Sequence, residues 1–321
     1  MTNEMLAQNA NYALASAALV ITVAMLCYAL YLAQSVPVRE RAESTARVPA
    51  TVGGGAGDDL TDEGGAAAAD EPVETPARAR KAAGIGGSLS WLGALLLLGS
   101  IVLRGVAVDR VPLGNLFEFS IAGCFFAMAV FCVAGLRRDL RWLGVFVTAF
   151  VVLVLMVAST AWYVEADELV PSLKSYWLPI HVTVATLSVG IFIVGAILSA
   201  LYLMSDREVG GERFWRKLPA AQQLEKLSYS LHIIGFPLWT FTLIAGAIWA
   251  REAWGSYWNW DPKEVWTFVI WVVYAAYLHA RATKNTSRRT ANWIALAGFA
   301  CIVINYTVVN FYFIGQHSYA Q

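Results

Sequence analysis

Eight runs of about twenty residues, almost free of charge, decide what this chain can fold into. They fall at roughly 11–33, 89–108, 113–135, 142–163, 177–204, 228–250, 265–283 and 291–314. A hydrocarbon core of about 30 Å takes about 20 helical residues to cross. Lipid offers the backbone no hydrogen-bond partners, so each run must be helical. The expected fold class is therefore all-α: a polytopic membrane helix bundle of about eight transmembrane helices. Composition agrees, since 58% of the 321 residues are hydrophobic and 14% charged, whereas soluble domains carry about 25% charged residues. The first run does not read as a cleavable signal peptide, because it lacks a basic leading segment and a small-residue cleavage site.

Lysine and arginine predict the orientation. With both termini outside, the inner connections are 34–88, 136–141, 205–227 and 284–290; counting Arg281 with the last, they hold 18 of the 23 basic residues. That bias obeys the positive-inside rule. It predicts a multi-pass protein of the cell (inner or plasma) membrane. Arg104, Arg110, Lys174, Arg251 and Lys263 are left for the outer side. A net charge of zero gives no reason to expect nucleic acid as a partner. The chain divides into a first transmembrane helix (1–33), a cytoplasmic linker (34–88) and a large transmembrane domain (89–321). From residue 43 the linker is rich in Gly, Ala, Asp, Glu and Pro, with almost no large apolar side chains. Such a stretch buries too little surface to offset its ordering entropy, so it is expected to be disordered. Cys27, Cys124, Cys132 and Cys301 sit singly in apolar runs and read as packing residues, not a redox pair.

The most unusual segment is the outer loop 251–264, which contains Trp254-Gly-Ser-Tyr-Trp-Asn-Trp-Asp-Pro-Lys-Glu264. Trp254, Tyr257, Trp258 and Trp260 crowd four large rings into seven residues. Interfacial tryptophans usually form a scattered belt; packed together they read as a platform for a flat ligand. Asp261 reads as the N-cap of the seventh helix, with Pro262 at its first position and Glu264 in its first turn. Two histidines fall at the same level. His181 lies in the first turns of the fifth helix, and His317 just beyond the outer end of the eighth. Neutral imidazole is an axial ligand for haem iron, so a bis-histidine haem site fits. His279 lies about 21 Å further along the seventh helix, at 1.5 Å per residue, in the inner half of the bilayer. An ionisable residue there is a functional candidate. His232 starts the sixth span at similar depth and is a weaker candidate to face it; a second polypeptide is the better source of that ligand.

These motifs closely resemble the signature of the tryptophan-rich (WWD) haem-handling proteins of cytochrome c maturation. Within that family the chain resembles the CcsA/ResC type of System II, whose actinobacterial members are often labelled CcsB. The resemblance extends to Val111-Pro-Leu-Gly-Asn-Leu-Phe-Glu118, Pro171-Ser-Leu-Lys-Ser-Tyr-Trp-Leu-Pro-Ile-His181, Gly235-Phe-Pro237, Tyr277-Leu-His279 and His317-Ser-Tyr319. It implies that His181 and His317 are the external ligands of haem b, and that His279 is the transmembrane one. The histidine opposite His279 would come from a ResB-like membrane protein. The further implied partners are apocytochrome c and a thiol-reducing protein. The implied activity is that of a holocytochrome c synthase (haem lyase), acting in a complex and joining haem to the CxxCH motif. The alternatives are a haem carrier that serves a separate ligase, and a quinone-linked haem redox subunit. Arg104, Arg110, Arg251 and Lys263 are the outward candidates for haem propionates.

Overall fold

The computed structural model describes residues 3–35, 75–166, 175–207 and 211–317. Its long helices are α1 (Asn3–Gln34), α2 (Ala77–Ala107), α3 (Leu116–Gly135), α4 (Gly144–Ala161), α5 (Trp177–Asp206), α6 (Ala221–Trp254), α7 (Pro262–Ala282) and α8 (Arg288–Tyr306). A single turn, Glu212–Trp215, precedes α6, and a short helix, Val308–Tyr312, continues α8 beyond a break at Thr307. All eight long helices, α8 together with its continuation, are long and apolar enough to cross a membrane. Among the described residues there is no strand. The all-α bundle of eight spans read from the sequence is the fold observed.

Several helices outrun their apolar runs. α2 starts at Ala77, not at 89, so 77–88 is helical and not linker; residues 36–74 of the expected linker lie outside the described residues. The reason is local. Ala77, Ala79, Ala82 and Ala83 favour helix, and Ala79 and Ala83 bury themselves against Tyr31 of α1. Small residues continue along α2, where Gly86 gives room to the Tyr28 ring of α1 and Gly93 to Ile21. Their lack of bulk lets two backbones approach closely, as membrane helix pairs do. α5 is the hub: 78% of its apolar window is buried, against 17% for α7. It packs against α3, α6 and α8, while α7 leans on α6 and α8 and leaves a broad face uncovered.

Buried ion pairs tie both ends of the bundle. At one end the Glu118 carboxylate (1% exposed) accepts from Arg104 Nε at 2.9 Å, from both Arg110 amino groups and from the Gly114 amide. This fixes the connection from α2 to α3. At the other end Glu225 of α6 pairs with Arg281 of α7 and, at 2.7 Å, with Arg288 of α8. Removing one partner of a buried pair leaves an uncompensated charge and costs about 3–5 kcal/mol. Glu118→Gln is therefore expected to lower the thermal unfolding midpoint of the purified protein markedly. An unchanged midpoint in a detergent melt would rule out Glu118 as a structural clamp. The first-described terminus lies at the Glu118 end, where Asn11 Nδ2 donates to Tyr163 Oη. His317 lies there too, so both described termini share one end.

Candidate haem site

The start of α7 follows its sequence reading. Asp261 caps it, Pro262 opens it, and Glu264 completes a capping box. The Asp261 carboxylate does more than cap. Its Oδ1 accepts from the Lys263 amide at 2.9 Å and from His317 Nδ1 at 2.7 Å, and its Oδ2 accepts from the Gln316 amide at 2.6 Å. Burial works to raise the Asp261 pKa, but the hydrogen bond and charge of His317 and the two amides outweigh it and hold the carboxyl below its ordinary value. The segment carrying His317 passes so close to Asp261 that a Cβ on Gly315 would collide with the carboxylate. Because a carboxylate only accepts, His317 donates from Nδ1, and this bond fixes the orientation of the ring.

His181 obeys the same logic by another route. Its Nδ1 donates to the Thr242 carbonyl of α6 at 2.9 Å, so in the neutral ring Nε2 carries the lone pair. The ring reaches α6 because position 246 is glycine: an added Cβ would lie 2.7 Å from His181 Cε1. Gly246→Ala should therefore leave the helix intact, since alanine favours helix by about 1 kcal/mol, yet displace the imidazole. Haem retention is expected to fall roughly tenfold or more, as for lost ligand-orienting contacts, with little change in the melt. Full retention would show that the ring does not need this approach.

Both imidazoles border the same indole. Trp249 (2% exposed) lies parallel to His181, 6.1 Å between centroids and 9° between planes, and 5.6 Å from His317. Trp254 packs edge-on to both Trp249 and His317, each at 4.7 Å. His181, Trp249, Lys263 and His317 line a cavity of ≈ 180 Å³ and a smaller one of ≈ 50 Å³ beside it. Trp254, Tyr257 and Trp258 wall the smaller one. Trp260 is 77% exposed and sits edge-on to Trp258 at 5.9 Å. Its φ of 58° puts a bulky side chain in left-handed backbone, a strain of about 1–3 kcal/mol. Glu264 Oε2 holds the turn by accepting from the amides on either side, Asn259 at 2.9 Å and Asp261 at 3.1 Å.

The residues singled out from sequence are thus brought together at one end, with one exception. His279 is exposed on the last turn of α7, about 27 Å along the axis from Asp261 at 1.5 Å per residue. His232 does not face it. That ring is fully buried, donates from Nδ1 to the Ser228 carbonyl at 2.8 Å and packs on Tyr277, 4.8 Å away on the buried face of α7. Of the basic residues considered for propionates, Arg104 and Arg110 are spent on Glu118, and Arg251 bonds the Gly255 carbonyl beside Tyr257. Lys263 lines the cavity, its Nζ 3.1 Å from the Asn305 carbonyl. The four cysteines are free thiols.

Trp249 was not legible as a site residue, because it falls at the apparent end of the sixth apolar run and reads as a belt tryptophan. The signal was there: α6 runs on to Trp254, so the aromatic cluster begins one turn earlier than the loop.

The site passes a chemical test for haem. Two imidazoles are each oriented through Nδ1 by an acceptor, and indoles wall the space. Trp249 Nε1, Asn305 Oδ1 and both side-chain polar atoms of Asn310, all on residues lining the larger cavity, are buried without hydrogen-bond partners. Buried polar atoms are normally satisfied, so these await water or a polar ligand group.

Fold and site together define a multi-pass membrane protein whose aromatic, histidine-bearing cavity lies at one end of the bundle. The chain belongs to the cytochrome C assembly protein family, which it matches over residues 113–317. It is 34% identical to the cytochrome c biogenesis protein CcsA of Gloeobacter violaceus, over 73% of this chain and 86% of that one. It is 37% identical to CcsA of Prochlorococcus marinus over 71% and 81%, and 41% identical to CcsA of Guillardia theta over 48% and 58%. The family match spans α3 to His317, and so takes in the whole cavity. Cytochrome c maturation, which involves haem, is the process in which such a protein acts.

Proposed function

We propose that this protein receives haem b and holds it between His181 and His317, against Trp249, Trp254 and Trp258, for attachment to apocytochrome c. The observation that carries this reading is the pair of imidazoles bordering one indole, each oriented by an acceptor on Nδ1. The enclosed space is smaller than the roughly 300–1,000 Å³ usual for ligand pockets. Tyr257 and Trp260 extend the aromatic wall beyond it for a large flat substrate, and Lys263 meets a propionate. The basic residues Arg137, Arg138, Arg141, Lys217, Arg281 and Arg288 gather at the opposite end. By the positive-inside rule that end faces the cytoplasm and the haem site faces outward. Residues 89–321 then form the haem-handling domain, and the connection between α1 and α2 lies on the cytoplasmic side.

The chain's chemical task is orientation. Each client thiol adds across a haem vinyl double bond, sulfur to the inner carbon and hydrogen to the outer, with no net change of electrons. Holding the reactants in near-attack geometry supplies much of the barrier reduction, while the bond-making belongs to haem and thiol. His279, exposed on the least covered helix, faces a ResB-like partner that supplies the opposing ligand of an inner haem. The active unit is then a holocytochrome c synthase complex, kept supplied with reduced client by a thiol-reducing protein.

A visible spectrum of the chain purified with a ResB-like partner, before and after dithionite, tests this. Sharp reduced α and β bands that weaken in His181→Ala and His317→Ala are expected. A haem-free preparation in every condition would defeat the reading. His279→Ala is expected to deplete haem only when the partner is present; equal haem content would remove the inner site.

A further inference from the structure

The largest cavity described, ≈ 570 Å³, is at the opposite end of the bundle, between α1, α2, α3 and the connection from α3 to α4. None of its residues belongs to the haem site. Its floor is apolar and aromatic: Tyr28 and Phe131 pack edge-on at 5.9 Å, and Tyr28 Oη accepts from Ser90 Oγ at 3.2 Å. Its rim is cationic. Arg141 is committed to Asp139, at 2.5 Å, and lies over the Tyr31 ring. Arg137 and Arg138 are exposed, and among the described residues neither has a carboxylate partner. The rim residues join two membrane-spanning helices, so they sit at the membrane surface while the floor lies among the spans.

We propose that this cavity binds one acidic phospholipid, with Arg137 and Arg138 on the phosphate and an acyl chain against Tyr28, Trp91 and Phe131. An apolar slot under a basic rim at a membrane face is the complement of an anionic amphiphile, and guanidinium forks match phosphate oxygens. A soluble phosphate would meet only the rim and lose the floor. Gly87 gives a way to fill the slot without touching the charges, because a Cβ there has only Tyr28 Oη within reach, at 3.9 Å.

Native mass spectrometry of the full chain, titrated with phosphatidylglycerol or phosphatidylcholine, tests the assignment. The wild type is expected to retain one phosphatidylglycerol with a preference on the order of tenfold or more over phosphatidylcholine, from two arginines near the headgroup. Arg137→Gln/Arg138→Gln should erase the preference, and Gly87→Phe should erase retention of either lipid. If the double variant fails to fold, the Gly87→Phe result still decides. Equal retention of both lipids by the wild type would overturn the proposal. So would unchanged retention in Gly87→Phe, competition by inorganic phosphate alone, or haem as the molecule lost from the variants.

Discussion

Holocytochrome formation is expected to fall by about 100-fold or more when either His181 or His317 is replaced by alanine, the scale on which misplaced reactants lose rate. Each ring is held by one acceptor on Nδ1, the Thr242 carbonyl for His181 and the Asp261 carboxylate for His317. Removing either imidazole therefore deletes a proposed ligand but leaves its acceptor and the indole of Trp249 in place. Added imidazole should then re-enter the vacated space and restore a good part of the activity. Rescue separates a ligand role from a structural one, because a collapsed helix end would not respond to imidazole. Normal cytochrome yield in either variant without imidazole would remove the two histidines from the mechanism.

Asp261→Asn is expected to be the second most damaging single change. One carboxylate accepts from His317, Gln316 and Lys263 at once. An amide offers one oxygen where two are needed and turns its NH₂ toward a donor. The N-cap survives, since asparagine caps as well as aspartate, but the C-terminal segment loses its latch. Loss of such a ligand-supporting carboxylate costs about 10–100-fold in affinity, so haem should dissociate from Asp261→Asn far faster while the melt changes little. A retained haem complex with wild-type dissociation would show that His317 needs no carboxylate. The pH behaviour has a fixed sign. With its pKa held below the ordinary carboxylate value, Asp261 contributes fully above that value. Its contribution disappears only as the pH falls through the lowered pKa. The latch is therefore present across the neutral range.

All eight spans were legible because lipid forces helix on any long apolar run. Their ends were not. α2 begins at Ala77 and α6 extends from Ala221 to Trp254, since alanine-rich and polar turns continue helices past the hydrocarbon, where apolar counting stops. The cap of α7 was readable to the residue, because Asp-Pro-x-Glu chemistry is local. The pairing of Asp261 with His317 was not, as the two are 56 positions apart and nothing local links them. Trp249 was hidden for a related reason: only the packing of α5 against α6 brings His181 onto it.

The same 56-residue separation governs when the proposed haem site comes into being during synthesis. His181 is in place once α5 and α6 are inserted, but Asp261, which caps α7 through the Lys263 amide, gains His317 and Gln316 only after α8 and the segment beyond it have been threaded. A half-inserted chain offers one of the two imidazoles and an open wall of indoles, and on the proposed reading it would hold haem by one hand at most. On that reading full grip would arrive only with all eight spans inserted, and haem capture would report on correct membrane insertion.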